Sequence, residues 1–115
     1  EDEEQKRLTF AQAATGASGI ETLLSLSLEL YHNNSLKLET IIQALTSNPA
    51  KILKINKGNL SIGNDADFCI VDIDKPWVVK KDQLVSKSKN TSIEDKKLQG
   101  KVTNTFVKGV ELFKL

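Results

Sequence analysis

Histidine and cysteine are among the residues of this chain that could bind a transition metal or attack a substrate. His32 is the only histidine, and no second histidine or cysteine stands at metal-ligand spacing from it. We therefore predict that it serves the C-terminus of a helix, where it would satisfy carbonyl groups and the helix dipole. Cys69 is the only cysteine and lies within an apolar run, so we predict a small core residue rather than a nucleophile.

Carboxylates and hydroxyls offer no further catalytic arrangement. The Asp-x-Asp spacing puts pairs of carboxylates on one strand face, but the closing Glu of a calcium loop is absent, which favours turns at strand ends. Ser86 and Ser88 have no partner base in the sequence pattern. The four aspartates are Asp65, Asp67, Asp72 and Asp74. We predict no catalytic and no metal-binding residue in this chain.

One short segment could contact a ligand through its main chain. Ala14, Thr15 and Gly16 precede Ser18-Gly19-Ile20-Glu21, which has the Ser-x-x-Glu form of a capping box and predicts a helix that starts near Ser18. Main-chain N–H groups at Thr15 and Gly16 would then face a ligand with a helix N-terminus behind them. The alternative is a small-residue turn needed only for close helix packing.

Composition excludes several classes of function. The formal charge of +1 comes from 16 basic and 15 acidic residues, so no net field recruits nucleic acid or an anionic membrane. No apolar run approaches the roughly 20 residues that cross a bilayer, and the acidic start is unlike a signal peptide. The 115 residues suffice for one modest domain. We expect a cytoplasmic protein.

Helical periodicity dominates the first half of the chain. Residues 20–31 are apolar around most of the helix circumference, so this helix needs cover on more than one side. Of Leu23, Leu24, Leu26 and Leu28, we expect several to stay open within this chain. Residues 38–45 have the spacing of an amphipathic helix. Asn48 followed by Pro49 predicts an N-cap and first helical residue of a short third helix.

Extended patterns dominate the second half. Strands are predicted over residues 68–73, 77–79, 102–107 and 110–113, with Lys108-Gly109 as a two-residue hairpin turn. Residues 80–99 are mostly polar and predicted to be irregular. Helices followed by strands indicate an α+β fold or two pieces of a larger architecture.

Three stretches carry a family resemblance. Residues 61–72, Lys87-Ser88-Lys89-Asn90-Thr91 and Gly100-Lys101-Val102 resemble the C-terminal end of cyclic amidohydrolases. The stretches at residues 16–24 and 76–79 favour a resemblance to the dihydroorotases of the metal-dependent bacterial type. The resemblance runs from about Arg7 to Leu112.

The resemblance implies an architecture and a division of labour. Residues 1–56 would be the terminal helices of a (β/α)8 barrel, with the substrate loop. Residues 57–115 would be strands of a small β-sandwich domain, with a polar loop at 80–100. In the family, main-chain groups of the loop that corresponds to Thr15 and Gly16 hold the substrate ring.

The resemblance also implies what the rest of the enzyme supplies. The parent enzyme would use zinc, with an Asp-His-x-Pro run expected just before Glu1. We therefore expect this chain alone to be inactive and to bind no zinc. Its partners would be the remainder of the enzyme and a small-molecule substrate, in an assembly compatible with a homo-oligomer.

Three functional hypotheses stay open at this point. The first is a fragment of a dihydroorotase, which reversibly cyclises N-carbamoyl-aspartate to dihydroorotate in pyrimidine biosynthesis. The second is a fragment of a hydantoinase-like or allantoinase-like cyclic amidohydrolase. The third is a structural or assembly module that resembles the enzyme but performs no chemistry.

Overall fold

A computed structural model describes residues 7–13 and 15–115 of the chain. Residues 1–6, at the charged start of the chain, lie outside the described residues, as does Ala14. The described part contains three α-helices followed by three β-strands, with a short 3-10 helix at Lys81–Gln83. The predicted α+β class and the order of helices before strands are confirmed.

The helices are α1 (Leu23–His32), α2 (Leu38–Leu45) and α3 (Ser47–Leu53). Helix α2 has the predicted bounds and buries Ile41 from its apolar face. The predicted start of α3 is wrong, because Thr46 and not Asn48 occupies the N-cap position. Proline is still tolerated at Pro49, since the first four N–H groups of a helix have no partner within it.

The strands β1 (Phe68–Val78), β2 (Lys97–Val107) and β3 (Val110–Lys114) form one antiparallel sheet in the order β1-β2-β3. The predicted strands at 68–73 and 77–79 are parts of a single strand, in which an irregularity between Asp72 and Pro76 absorbs the break. Strand β2 begins at Lys97, before the predicted start at Val102. The predicted hairpin is confirmed, with φ of 50° at Lys108 and 78° at Gly109.

The core lies where α1 packs on β2. Leu28 is completely buried, and its side chain fills the space that a β-carbon on Gly100 would occupy. The hydroxyl of Ser25 donates to the Gly100 carbonyl at 2.5 Å, and the indole N–H of Trp77 also reaches that carbonyl, at 3.2 Å. The other buried apolar residues around this contact are Val79, Leu84 and Leu98.

Helix α1 is only partly covered, as the sequence predicts. Leu23 is about half exposed, Leu24 and Leu26 are half-buried, and Leu28 is buried. The contact between α1 and β2 crosses the predicted domain boundary at residue 56, and the boundary itself stays a prediction. None of the helices in the described ranges has the length and apolar character needed to cross a bilayer.

Candidate functional site

The candidate substrate-binding segment lies at the surface, ahead of α1. Thr15 and Gly16 are both exposed and belong to no helix or strand. Gly16 has a φ of +85°, in the left-handed region that L-residues with a β-carbon rarely adopt. A β-carbon placed there would meet no atom within 4 Å. Backbone conformation rather than close packing therefore favours glycine at this position.

The predicted helix start near Ser18 is wrong. Helix α1 begins at Leu23, and Thr22 occupies its N-cap position without a side-chain capping bond. The capping box does not form because its two side chains have long-range partners: Ser18 binds Ser86 and Ser88, and Glu21 binds Val85 and Ser86. Gly16 therefore stands seven residues before the helix, and the helix N-terminus does not lie directly behind it.

Residues 16–21 are instead held by residues 85–90, in a contact we call the loop clamp. The amide Nδ2 of Asn90 donates to the Gly16 carbonyl at 2.7 Å, and the Ser18 N–H donates to the Asn90 carbonyl at 2.7 Å. The Ser18 hydroxyl donates to the Ser88 carbonyl at 2.8 Å. The clamp thus fixes an exposed irregular segment through hydrogen bonds between residues about 70 positions apart in the chain.

The carboxylate of Glu21 closes the other end of the loop clamp. Its two oxygens accept the main-chain N–H groups of Val85 and Ser86, each at 3.0 Å. Hydrogen bonds to an ionised acceptor are roughly twice as strong as those between neutral groups. A cavity of about 360 Å³ lies between the two segments, lined by residues that include Ile20 and Leu84.

His32 does not form a metal site. It ends α1 as predicted, but its Nε2 lies 3.0 Å from the carbonyl oxygen of Ile73 in β1, so it joins the helix to the sheet rather than capping its own helix. Over residues 7–13 and 15–115, no cluster of three or more histidine, cysteine or acidic side chains could hold a metal. The described residues therefore do not fit a zinc ion.

The aspartates near β1 have structural partners. The ammonium of Lys57 lies 2.9 Å from Asp65 and 2.5 Å from Asp67, and Asp67 also accepts the Lys108 N–H at 2.7 Å. The hydrogen bond from Lys57, followed by that from Lys108, lowers the pKa of Asp67, while the bonds to both carboxylates raise the pKa of Lys57. The carboxylate of Asp72 accepts the Asp74 N–H at 3.1 Å. Asp65 and Asp67 precede β1, which agrees with the predicted role at a strand end, whereas Asp72 and Asp74 lie within β1, so the prediction of a turn is wrong for that pair.

The prediction of a core position for Cys69 is wrong. The residue is exposed on β1, together with Phe68 and Ile70. Helix α1 packs on β2 rather than on this part of β1, so an apolar strand sequence is left open within the described residues.

Sequence reasoning missed Asn90, Ser18 and Glu21 as residues of the candidate site. The local sequence pattern assigns Ser18 and Glu21 to a capping box, and Asn90 belongs to a run that carries only the family resemblance. The signal that could have found them is the unexplained run Lys87-Ser88-Lys89-Asn90-Thr91, a polar motif without regular periodicity. Motifs of that kind favour specific hydrogen-bonding positions in loops.

Comparison with known proteins places the chain in a family. Residues 8–112 match the amidohydrolase family. Among curated relatives, the dihydroorotase of Ehrlichia chaffeensis is 41% identical over 109 residues, which cover 95% of this chain and 24% of the relative. The dihydroorotase of Syntrophus aciditrophicus is 43% identical over 104 residues, covering 90% of this chain and 24% of the relative.

Solved structures agree with this result. A D-hydantoinase structure superposes with a TM-score of 0.86 at 21% identity, over 96% of this chain and 25% of that one, and this likeness concerns the fold alone. The L-hydantoinase (dihydropyrimidinase) of Arthrobacter aurescens superposes with a TM-score of 0.82 at 32% identity, over 90% and 24% of the two chains. The present chain spans about a quarter of the length of these relatives. Because the family match covers nearly all of its residues, the chain belongs to the amidohydrolase family.

Proposed function

We propose that this chain is part of a zinc-dependent dihydroorotase, which interconverts N-carbamoyl-aspartate and dihydroorotate in pyrimidine biosynthesis. The observation that carries the proposal is 41% identity to the Ehrlichia chaffeensis dihydroorotase across 95% of the chain. The relatives of Anaplasma phagocytophilum and Wolbachia, also named dihydroorotases, are each 38% identical over nearly the whole chain.

In this proposal the chain supplies structure and part of the substrate site. Residues 1–56 form the end of the (β/α)8 barrel, and residues 57–115 form strands of the small β-sandwich. The run of three helices followed by an antiparallel sheet supports this division. The zinc ion and its ligands belong to the rest of the enzyme, together with the aspartate that moves the proton between water and the ring nitrogen.

The proposed contribution of this chain to the reaction is binding. Main-chain groups of Thr15 and Gly16 contact the ring of the substrate and orient it. The exposure of both residues and the fixed position of the Gly16 carbonyl support this role. An interaction made equally with substrate and transition state affects KM more than kcat.

The proposed setting is the cytoplasm, where the enzyme acts on a small molecule. The nearly balanced charge gives no reason to expect nucleic acid as a partner. The remainder of the enzyme is the partner that the proposal requires, and a homo-oligomer is compatible with it.

The test uses the complete enzyme that contains these 115 residues. The purified enzyme is assayed for ring opening of dihydroorotate, hydantoin and allantoin, and its zinc content is measured. We expect the highest kcat/KM with dihydroorotate and zinc bound in stoichiometric amount. Activity with none of the three substrates would contradict the proposal and favour a module without chemistry.

A hydantoinase is the second candidate function. It is favoured by the similarity to the Arthrobacter aurescens L-hydantoinase, at 32% identity and a TM-score of 0.82. The lower identity makes it second to the dihydroorotases. A kcat/KM for hydantoin above that for dihydroorotate would decide in its favour.

A further inference from the structure

We propose that Asn90, Ser18 and Glu21 are positioning residues that set the main chain of Thr15 and Gly16 in the substrate site. The inference rests on the proposed function, and it assigns to the segment at 85–90 a part in substrate binding. None of the three residues is proposed to touch the substrate. They act through the loop that does.

Residues 16–21 belong to no helix or strand. Main-chain polar groups in such a segment must find partners outside a helix or sheet ladder. In the loop clamp, the Gly16 carbonyl accepts from Asn90 and the Ser18 N–H donates to Asn90, both at 2.7 Å. One residue therefore holds the main chain at two points, on either side of Ala17.

Ser18 and Glu21 bind the same distant segment, residues 85–88. The Ser18 hydroxyl contacts the Ser88 carbonyl at 2.8 Å and the Ser86 hydroxyl at 3.1 Å, while Glu21 accepts two N–H groups from the same segment. These bonds fix the segment at 18–21 against residues 85–88. The side-chain amide of Asn90 donates to the carbonyl of Gly16, next to Thr15, and so helps to set the location of that carbonyl.

The backbone of Gly16 adopts a left-handed conformation. Its φ of +85° is accessible to glycine without strain, but glycine also has the largest choice of other conformations. A segment containing Gly16 and Gly19 needs external contacts to stay in one arrangement. The loop clamp supplies these contacts through Asn90, Ser18 and Glu21.

The test replaces the Asn90 amide by a carboxylate in the complete enzyme. In Asn90→Asp the donor to the Gly16 carbonyl is lost and an acceptor faces it. We expect KM for dihydroorotate to rise about tenfold, with kcat changed by less than about threefold. Asn104→Asp is the matched control, because Asn104 Nδ2 donates to Glu111 at 2.5 Å on the exposed sheet and lies outside the clamp.

Two further measurements keep the result decisive. Glu21→Gln changes an exposed residue and weakens the other end of the clamp. It serves as the test variant if Asn90→Asp does not fold, and the same rise in KM is expected. Hydrogen exchange of the Ser18 amide should be faster in Asn90→Asp and unchanged in Asn104→Asp. A KM within about twofold of wild type in a folded clamp variant would overturn the proposal.

The two proposals fail in different ways. If the wild-type enzyme does not open dihydroorotate, the proposed function is wrong, and Ser18 exchange then decides on the clamp by itself. Unchanged exchange in Asn90→Asp would show that Asn90 does not position the loop. An active wild-type enzyme whose Asn90→Asp variant keeps its KM would overturn the positioning role alone.

Discussion

At the scale of single residues, Leu28 of α1 packs closely against Gly100 of β2. Gly100 has a φ of +96°, and a β-carbon there would overlap the Leu28 side chain. Both residues are buried. Two separate physical effects therefore favour glycine at this position, namely backbone strain and lack of space.

Replacing Gly100 by alanine tests both effects. Left-handed strain costs about 1–2 kcal/mol, and overpacking adds about 1–3 kcal/mol, so Gly100→Ala should lower the free energy of unfolding by about 2–5 kcal/mol. Gly63→Ala is the control, because Gly63 has a φ of +93° with no atom within 4 Å of the added carbon. It should show only the strain. Urea denaturation followed by Trp77 fluorescence measures both, and equal losses would contradict the packing argument.

Lys57 and Asp67 provide a residue-scale prediction about pH. The Asp67 carboxyl has a lowered pKa, chiefly through its hydrogen bond from Lys57. A group whose pKa is lower in the folded state stabilises the fold above its unfolded pKa, and this contribution is lost as the pH falls through the folded pKa. We therefore expect Lys57→Met to raise the pKa of Asp67 toward its usual value.

An NMR titration of the Asp67 carboxyl measures this shift. Lys51→Met, on an exposed position of α3, is the control and should leave the titration unchanged. Since the side chain of Lys57 is 45% exposed and that of Asp67 is 27% exposed, solvent screens the ion pair, which should contribute little to stability. An unaltered Asp67 titration in Lys57→Met would show that the backbone N–H of Lys108 controls the pKa.

At the scale of elements, the β2–β3 hairpin contains an unfavourable residue. Lys108 and Gly109 both have positive φ, which is typical of a type I′ turn, where asparagine followed by glycine is preferred. Asparagine adopts this conformation at lower cost than lysine. Lys108→Asn should therefore raise the free energy of unfolding by up to about 1 kcal/mol. Thermal denaturation of Lys108→Asn, compared with wild type and with Lys108→Ala, which keeps the strain, measures this change in stability. An asparagine variant less stable than wild type would contradict the prediction.

Elements set by local patterns could be predicted from the sequence. The apolar spacing of α2 and the turn residues at Lys108-Gly109 act over a few positions, and both predictions are confirmed. The start of α1 could not be predicted in the same way. Ser18 and Glu21 match a local capping motif, but their side chains bind residues more than 60 positions away.

The same distinction applies to the candidate site. Thr15 and Gly16 carry a signal in their own small size and position, whereas the clamp residues become visible only when two distant segments meet. For Cys69 the prediction fails in another way. The apolar sequence of its strand indicates burial but does not indicate which part of the protein covers the strand, and Cys69 is exposed within this chain. Burial of β1 thus depends on packing that local periodicity does not report.

At the scale of the whole molecule, the described chain exposes many large apolar side chains. The most exposed of those that follow α2 are Ile62, Val85, Ile52 and Leu60. Soluble monomers rarely leave contiguous apolar patches of more than a few hundred Å² open. Within the proposed enzyme, the remainder of the chain would cover part of this surface.

Thiol labelling tests this coverage. Cys69 is exposed beside Phe68 and Ile70, so the isolated 115-residue chain should react readily with a maleimide. In the complete enzyme we expect Cys69 to react at least about tenfold more slowly, because protein would cover β1. Denatured enzyme is the control for intrinsic reactivity. Equal rates in the isolated chain and the enzyme would contradict coverage of this strand.

The loop clamp also determines when the loop can take its final position during synthesis. Gly16 and Asn90 are 74 positions apart, so at roughly 5–20 residues per second the ribosome adds Asn90 about 4–15 s after Gly16. During that interval α1 and α2 can already form, since their hydrogen bonds are local. The segment proposed to bind substrate can therefore take its final position only after Asn90 has been synthesised, although β2 and β3 follow Asn90 in the chain.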